Sequence, residues 1–125
     1  MRIQDTLSNS EKEIHTSGKI RMYLCGVTVY DQSHIGHART IIAFDVLRRY
    51  LEEKGAEVEI VQNFTDIDDK IINRANAENT TALEISRRYI KDYFEDFDRL
   101  NVKRAAYYPK CKKFRIWSNN SMYSF

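Results

Sequence analysis

The alternation of apolar and polar positions between residues 20 and 63 predicts a strand, a long helix and a second strand. Residues 20–27 alternate and favour extended chain, and residues 57–63 alternate in the same way. Between them, apolar residues recur at the spacing of a helix that packs one face, and Gly55 stands where a glycine commonly follows a helix end. The apolar positions of this helix are Ile35, Ala38, Ile42, Leu47 and Leu51. Because such a unit pairs its strands in parallel through a right-handed crossover, the sequence predicts an α/β fold.

Two further helices are predicted after the second strand. Residues 66–76 form the first, and its acidic residues Asp66, Asp68 and Asp69 are interpreted as suiting the helix dipole rather than as a magnesium site. The run from Thr81 to Glu84 is typical of a capping box that opens the second helix. The apolar stripe of that helix is interpreted as core and comprises Ile85, Tyr89, Tyr93, Phe97 and Leu100. Residues 1–19 are polar, and no strand or helix is predicted there.

The composition indicates one globular domain. The chain has 125 residues, 42% of them hydrophobic, with one proline and four glycines, which excludes collagen-like and low-complexity chains. With 20 Lys and Arg against 18 Asp and Glu, the net charge of +2 does not by itself indicate a nucleic-acid binder. The two distant cysteines do not form a disulfide framework, and no window is apolar enough to span a bilayer. We therefore expect a cytoplasmic protein with no membrane partner.

The last residues differ in character from the rest of the chain. We expect residues 1–110 to form the folded part and residues 111–125 to be a divergent basic and aromatic tail, in which Cys111 is incidental. Basic and aromatic side chains together suit RNA contact, and a solvated tail is the alternative interpretation.

The loop between the first predicted strand and the long helix carries the candidate site. In open α/β sheets, ligands collect outside the carboxyl ends of strands, and the free N–H groups at the start of the next helix attract phosphate. His34 and His37 are three residues apart, so we expect both imidazoles on the first helical turn, facing the same way and able to donate to an oxyanion. Gly36 lets a ligand approach the backbone closely. On spacing alone, two surface histidines near a helix start remain an alternative.

Three segments together closely resemble the cysteinyl-tRNA synthetase family. They are MYLCGVTVYD at residues 22–31, HIGHART at residues 34–40 and NFTDIDDKII at residues 63–72. The second resembles the His-Ile-Gly-His signature of class I synthetases, and the likeness extends from residue 1 to about residue 109. It implies that residues 1–110 are the amino-terminal part of a class I catalytic domain, a truncated Rossmann-like nucleotide-binding fold.

The resemblance implies an ATP-dependent activation of L-cysteine and its transfer to tRNA(Cys). In the family, the cysteine carboxylate attacks the α-phosphate of ATP to give cysteinyl adenylate, with Mg2+ accompanying the ATP. The resemblance gives His34 and His37 the catalytic role, because imidazole donors on a rigid turn can stabilise developing phosphate charge. The implied ATP-binding residues are Gly26, Thr28, His34, Gly36 and His37.

The resemblance also implies a zinc ion that selects the substrate thiol. Cys25 matches the position of one thiolate ligand of that Zn2+, and Cys25, Gly26 and Thr65 match positions of the cysteine pocket. A soft metal accepts sulfur and so rejects serine by chemistry rather than by size. The other family ligands have no match in this sequence, so we expect the zinc site to be incomplete in this chain. Without the flanking segments, Cys25 would be interpreted as a small buried hydrophobic residue.

Two alternatives stay open at this point. The cysteine ligase of mycothiol synthesis resembles the same family, sharing the cysteine after the first strand and the histidine signature. The chain could also be a non-catalytic remnant that binds a nucleotide or a partner. Whether it acts alone or with a complementing chain is left open by the sequence.

Overall fold

The computed structural model describes residues 1–110, so the predicted tail lies outside the described residues. The elements in chain order are β1 (Arg2–Asp5), β2 (Ser10–Glu13), β3 (Gly18–Leu24), α1 (Ile35–Glu53), β4 (Ala56–Gln62), α2 (Asp69–Ala77) and α3 (Ala82–Arg99). The chain is thus a mixed α/β protein built around a small parallel sheet. Within the described residues, no helix combines the length and the apolar composition that a bilayer span requires.

β3 and β4 form the predicted parallel pair. Their register runs from Gly18 opposite Ala56 to Leu24 opposite Gln62, which confirms the strand-helix-strand unit. β3 ends three residues earlier than the predicted boundary at residue 27, so residues 25–34 form a longer loop before α1. Beyond β4, the segment 107–110 adds parallel bridges to the same sheet, and the backbone N–H of Gln62 donates to the carbonyl of Tyr107 at 3.0 Å. One edge of β4 is therefore covered.

An amino-terminal hairpin is the element that the sequence did not predict. β1 and β2 pair antiparallel from Arg2 opposite Glu13 to Asp5 opposite Ser10, and most of their residues are exposed. The carboxylate of Asp5 organises the turn by accepting the backbone N–H groups of Leu7 and Ser8. Because Ile3 is the one apolar residue of the two strands, the hairpin has no apolar alternation to reveal it.

The buried face of helix α1 differs in part from the predicted apolar face. Gly55 follows its end with φ +91°, as predicted, because the left-handed conformation there suits glycine. Ile35 is 86% exposed and Ile42 is 38% exposed, so neither belongs to the buried stripe. Leu51 is buried as predicted, and the predicted Ala38 and Leu47 are partly buried against the core. Ile41 and Asp45, which were not predicted, complete the buried stripe. The spacing of apolar residues could not predict that Asp45 is buried, because its burial depends on polar partners. Its Oδ2 accepts the Nε–H of Arg49 at 2.7 Å, and its Oδ1 accepts the backbone N–H of Lys103 at 3.0 Å.

The two following helices begin at polar caps. α2 starts at Asp69, three residues after the predicted start, because Asp68 is its N-cap and accepts the backbone N–H of Lys70 at 2.9 Å. α3 starts at Ala82 within the predicted capping box, in which Thr81 is the N-cap and the side chain of Glu84 accepts the backbone N–H of Thr81. Four of the five predicted core residues of α3 are buried, while Leu100 is its C-cap and is 51% exposed. The stripe ends there because the helix ends.

An aromatic cluster joins α3 to the sheet just beyond the end of β4. The ring of Phe64, 1% exposed, lies 5.0 Å from the ring of Tyr93, 5.6 Å from that of Phe94 and 5.2 Å from that of Tyr108. Burial raises the pKa of Tyr93, whose hydroxyl donates to Oε1 of Gln62 at 2.9 Å. The cluster holds Phe64 in place and so fixes the position of the next residue, Thr65.

The capping box of α3 gives a pH-dependent test of this fold. The hydroxyl of Thr80, followed by the backbone N–H of Thr81, lowers the pKa of Glu84 to about 2, from 4.5. Because the folded pKa is depressed, the contribution of Glu84 to stability is fully present above pH 4.5 and is lost as the pH falls toward 2. We expect Glu84→Gln to flatten the decline of Tm in that window. Thermal unfolding followed by circular dichroism checks this, with Glu95→Gln on the same helix as the control; superimposable profiles for Glu84→Gln and the parent would contradict it.

Candidate functional site

The carboxyl ends of β3 and β4 bring two loops together, residues 25–34 and residues 63–68. The backbone N–H of Val29 donates to the carbonyl of Thr65 at 3.2 Å, and the N–H of Thr65 donates to the carbonyl of Val27 at 3.1 Å. Thr28 and Thr65 therefore lie opposite each other across a parallel bridge. Two candidate residues that are far apart in the sequence share one edge of the sheet.

Gly26 lies against the backbone of the second loop. A Cβ built on Gly26 would lie 1.3 Å from the carbonyl oxygen of Asn63, a separation that only movement of the backbone could relieve. The N–H of Gly26 donates to Oδ1 of Asn63 at 2.8 Å. The close approach of the two loops thus requires glycine at this position, a packing reason that the sequence did not reveal.

The two histidines form the start of α1. His34 has φ −120° and ψ 172°, so it is the N-cap just before the helix, whereas the prediction placed it on the first helical turn. Its Nδ1 accepts the N–H of Gly36 at 3.1 Å, while Nδ1 of His37 accepts the N–H of His34 at 3.3 Å. The two rings are stacked, with centroids 3.9 Å apart and planes 20° apart. The backbone N–H groups of His34 and Gly36 are therefore bonded to imidazole nitrogens.

This pairing determines which nitrogen of each ring can donate. Since Nδ1 of both imidazoles accepts a backbone N–H, the neutral rings carry their proton on Nε2. Each Nε2–H is thereby left as a donor at the opposite side of the ring from the helix backbone. The arrangement presents two neighbouring N–H donors, which is a suitable array for an anionic oxygen.

The neutral form of His37 is favoured by its surroundings. Burial, followed by the charge of His34, lowers the pKa of His37 below its usual 6.5. Because the folded state disfavours the charged form, its contribution to stability is present above about pH 6.5 and is lost as the pH falls. At neutral pH, His37 is a hydrogen-bond donor through Nε2 without a positive charge.

Gly36 has a packing role beside these rings. A Cβ at this residue would lie 2.9 Å from Cε1 and 3.0 Å from Nδ1 of His34, so a larger residue would press on the His34 ring. The ring is the end of a side chain and can move, unlike the backbone that faces Gly26. Glycine at residue 36 therefore permits the stacked arrangement of the imidazoles.

Cys25 is an exposed free thiol directly after β3, which contradicts the interpretation of a buried hydrophobic residue. Within residues 1–110, no three or more His, Cys, Asp or Glu side chains are grouped so that they could hold a metal ion. Structural and catalytic zinc sites take three or four protein ligands. The donor set of the described residues therefore does not fit a zinc ion.

A groove that the sequence did not predict runs beside His34. It has a volume of about 380 Å³ and lies between the start of α1 and the end of α3. Its lining includes Ser33, His34, Ile35, Asp96, Arg99 and Leu100. The exposed Ile35 and Leu100 of the corrected helix faces thus border the same depression.

Comparison with known proteins places most of the chain in one family. The profile described as the catalytic domain of class I (C) tRNA synthetases matches residues 11–115. The cysteine-tRNA ligase of Gloeothece citriformis is 58% identical over 93 residues, which are 74% of this chain and 19% of that protein. That of Rippkaea orientalis is 53% identical over 86% of this chain and 23% of its own length. That of Caldicellulosiruptor saccharolyticus is 52% identical over 88% and 24%. The chain spans about a fifth to a quarter of the length of these curated relatives.

Proposed function

This chain belongs to the family of class I (C) tRNA synthetase catalytic domains, and we propose that it supplies the first part of the nucleotide-binding site of a cysteine-tRNA ligase. The observation that carries the proposal is the stacked pair of His34 and His37, whose Nε2–H groups are both left to donate. The parallel unit of β3, α1 and β4 supports a Rossmann-like half-fold, in which a ligand lies beyond the strand ends.

The proposed reaction is the activation of L-cysteine by ATP. A carboxylate oxygen of cysteine attacks the α-phosphorus, the bond to the bridging oxygen breaks, and pyrophosphate leaves with its electron pair. The Nε2–H groups of His34 and His37 donate to the phosphate oxygens as charge develops on them, which lowers the barrier more than it strengthens ground-state binding. Gly26, Thr28 and Gly36 belong to the same ATP site in this proposal, since they lie in the loop and turn beside the rings. Mg2+ accompanies the ATP.

The proposed cysteine pocket comprises Cys25, Gly26 and Thr65. Its support is the bridge between the two loops, which brings Thr65 to the residues that follow β3. The described residues offer one sulfur ligand, Cys25, toward a thiol-selective metal. The cysteinyl group would then pass to tRNA(Cys).

We also propose that a complementing polypeptide covers the outer face of α1. Ile42, Val46 and Tyr50 are spaced by four residues and are 38%, 59% and 45% exposed, so they form a continuous apolar stripe. Among the described residues, β3 pairs only with β4, which leaves its other edge open. The part of the relatives' length that this chain does not span is the proposed occupant.

Cysteine-dependent ATP–pyrophosphate exchange tests the function. The assay uses a chimera in which this chain replaces the matched 93 residues of the Gloeothece citriformis ligase. We expect exchange that requires L-cysteine and is not supported by L-serine. The unmodified ligase and the isolated chain are measured in parallel, and the isolated chain is expected to bind ATP weakly without exchange. A folded chimera that is inactive while the unmodified ligase is active would contradict the proposal.

A further inference from the structure

One amide side chain holds the two loops of the site together. Asn63 directly follows β4, and its Oδ1 accepts both the backbone N–H of Gly26 and the hydroxyl of Tyr23, each at 2.8 Å. Its Nδ2 donates to Oγ1 of Thr65 at 3.4 Å. The backbone N–H of Gly26 can only donate, so the atom that faces it must be Oδ1 and the orientation of the amide is determined.

The sheet requires such a connection at this place. Its regular ladder ends at Leu24 opposite Gln62, and the next bridge joins Thr28 to Thr65. Between these two pairs, residues 25–27 on the first loop face residues 63–64 on the second, which is three residues against two. The mismatch interrupts the pairing of the backbones, as in a bulge, and pushes Gly26 onto the carbonyl of Asn63. The amide of Asn63 spans the interrupted stretch with hydrogen bonds to both sides.

We propose that Asn63 is a positioning residue of the site and sets the distance between the Cys25–Gly26 segment and Thr65. The proposal rests on the proposed function for what occupies that space. Asparagine suits the place because a single side chain must accept from Gly26 and donate to Thr65. Aspartate could only accept, and an apolar residue could do neither.

The contact also directs the hydroxyl of Thr65. Because Oγ1 accepts from Nδ2 of Asn63, the hydroxyl proton of Thr65 is left to donate to an acceptor in the site. A carboxylate of the substrate amino acid is an acceptor of this kind. The structure therefore assigns to Asn63 an indirect effect on the binding of cysteine, acting through Thr65, and no direct contact with ATP.

The first test measures the hydrogen bond from the backbone N–H of Gly26 to Asn63 and is independent of catalysis. In Asn63→Leu, we expect the amide hydrogen of Gly26 to exchange with solvent at least ~10-fold faster by NMR, because it loses its acceptor. Asn63→Asp keeps the acceptor, so we expect the exchange rate of Gly26 to stay within about two-fold of the parent rate. This variant remains informative if the leucine variant does not fold. Tyr23→Phe is the matched control, since it removes a different donor to the same oxygen. Unchanged protection of Gly26 in folded Asn63→Leu, or lost protection in Asn63→Asp, overturns the proposal.

The second test separates positioning from general destabilisation. In the chimera, Asn63→Asp is expected to raise KM for cysteine at least ~5-fold while KM for ATP stays within about two-fold, since only the orientation of Thr65 is lost. If the exchange rates follow the expectation and both KM values rise equally, or neither rises, Asn63 is structural and the positioning role is wrong. A chimera without activity would refute the proposed function. The amide exchange rates would still decide whether Asn63 joins the two loops by hydrogen bonds.

Discussion

Removing the Nε2–H donor of His34 or His37 is expected to slow adenylate formation by ~10²–10³-fold in the chimera, the usual cost of losing one donor to developing negative charge. Alanine would also remove a helix cap, because both rings accept backbone N–H groups. The sharper variants are therefore His34→Asn and His37→Gln. Asparagine is a favoured N-cap, and glutamine at the third helical position completes a capping box, so both keep the helix start while removing the imidazole donor.

Single-turnover formation of adenylate and equilibrium binding of ATP are the two quantities to compare. Because the donors act chiefly on charge that develops during the reaction, the rate should fall much more than the affinity for ATP. His15→Ala is the control, since His15 is an exposed histidine between β2 and β3. Equal losses of rate and affinity would assign the histidines to ground-state binding, and no loss in either would leave them a purely structural role.

Gly26→Ala is expected to reduce the free energy of unfolding by about 3 kcal/mol, because its Cβ would meet backbone that cannot yield without moving a loop. Gly36→Ala is the matched control. There the added methyl group meets only the movable ring of His34, and alanine in a helix gains about 0.5–1 kcal/mol over glycine. Urea unfolding of the two variants measures the difference. Equal midpoints for Gly26→Ala and Gly36→Ala would show that the two loops can separate at little cost.

The parallel unit could be predicted from the sequence because its signals are local and repetitive. Period-two alternation marked both strands, Gly55 marked the end of α1, and the run from Thr81 to Glu84 marked the start of α3. The hairpin of β1 and β2 could not be found in this way, because a single apolar residue, Ile3, among polar neighbours gives no period. Asp45 was missed for a related reason, since its burial depends on Arg49 and on the backbone of Lys103, which lies 58 residues away.

The candidate site was predictable in its location and less so in its geometry. The order of strand, loop and helix predicted that His34 and His37 lie beyond the end of β3. It did not predict the capping interaction between them. A signal for it was present: the HxxH spacing equals that of a capping box, with a ring nitrogen at each end in place of an oxygen. The function of Asn63 depends on contacts with Gly26 and Thr65 that only the folded chain creates.

The most direct test of the ATP site is a titration of the 15N-labelled chain with ATP, observing the imidazole nitrogens of His34 and His37 at neutral pH. Both free rings are expected to carry their proton on Nε2, and these Nε2 resonances should shift with ATP, giving a weak dissociation constant on the order of 1 mM. The signals of His15 should not move. Rings protonated on Nδ1, or Nε2 resonances of His34 and His37 that stay unchanged at about 10 mM ATP, would contradict the account.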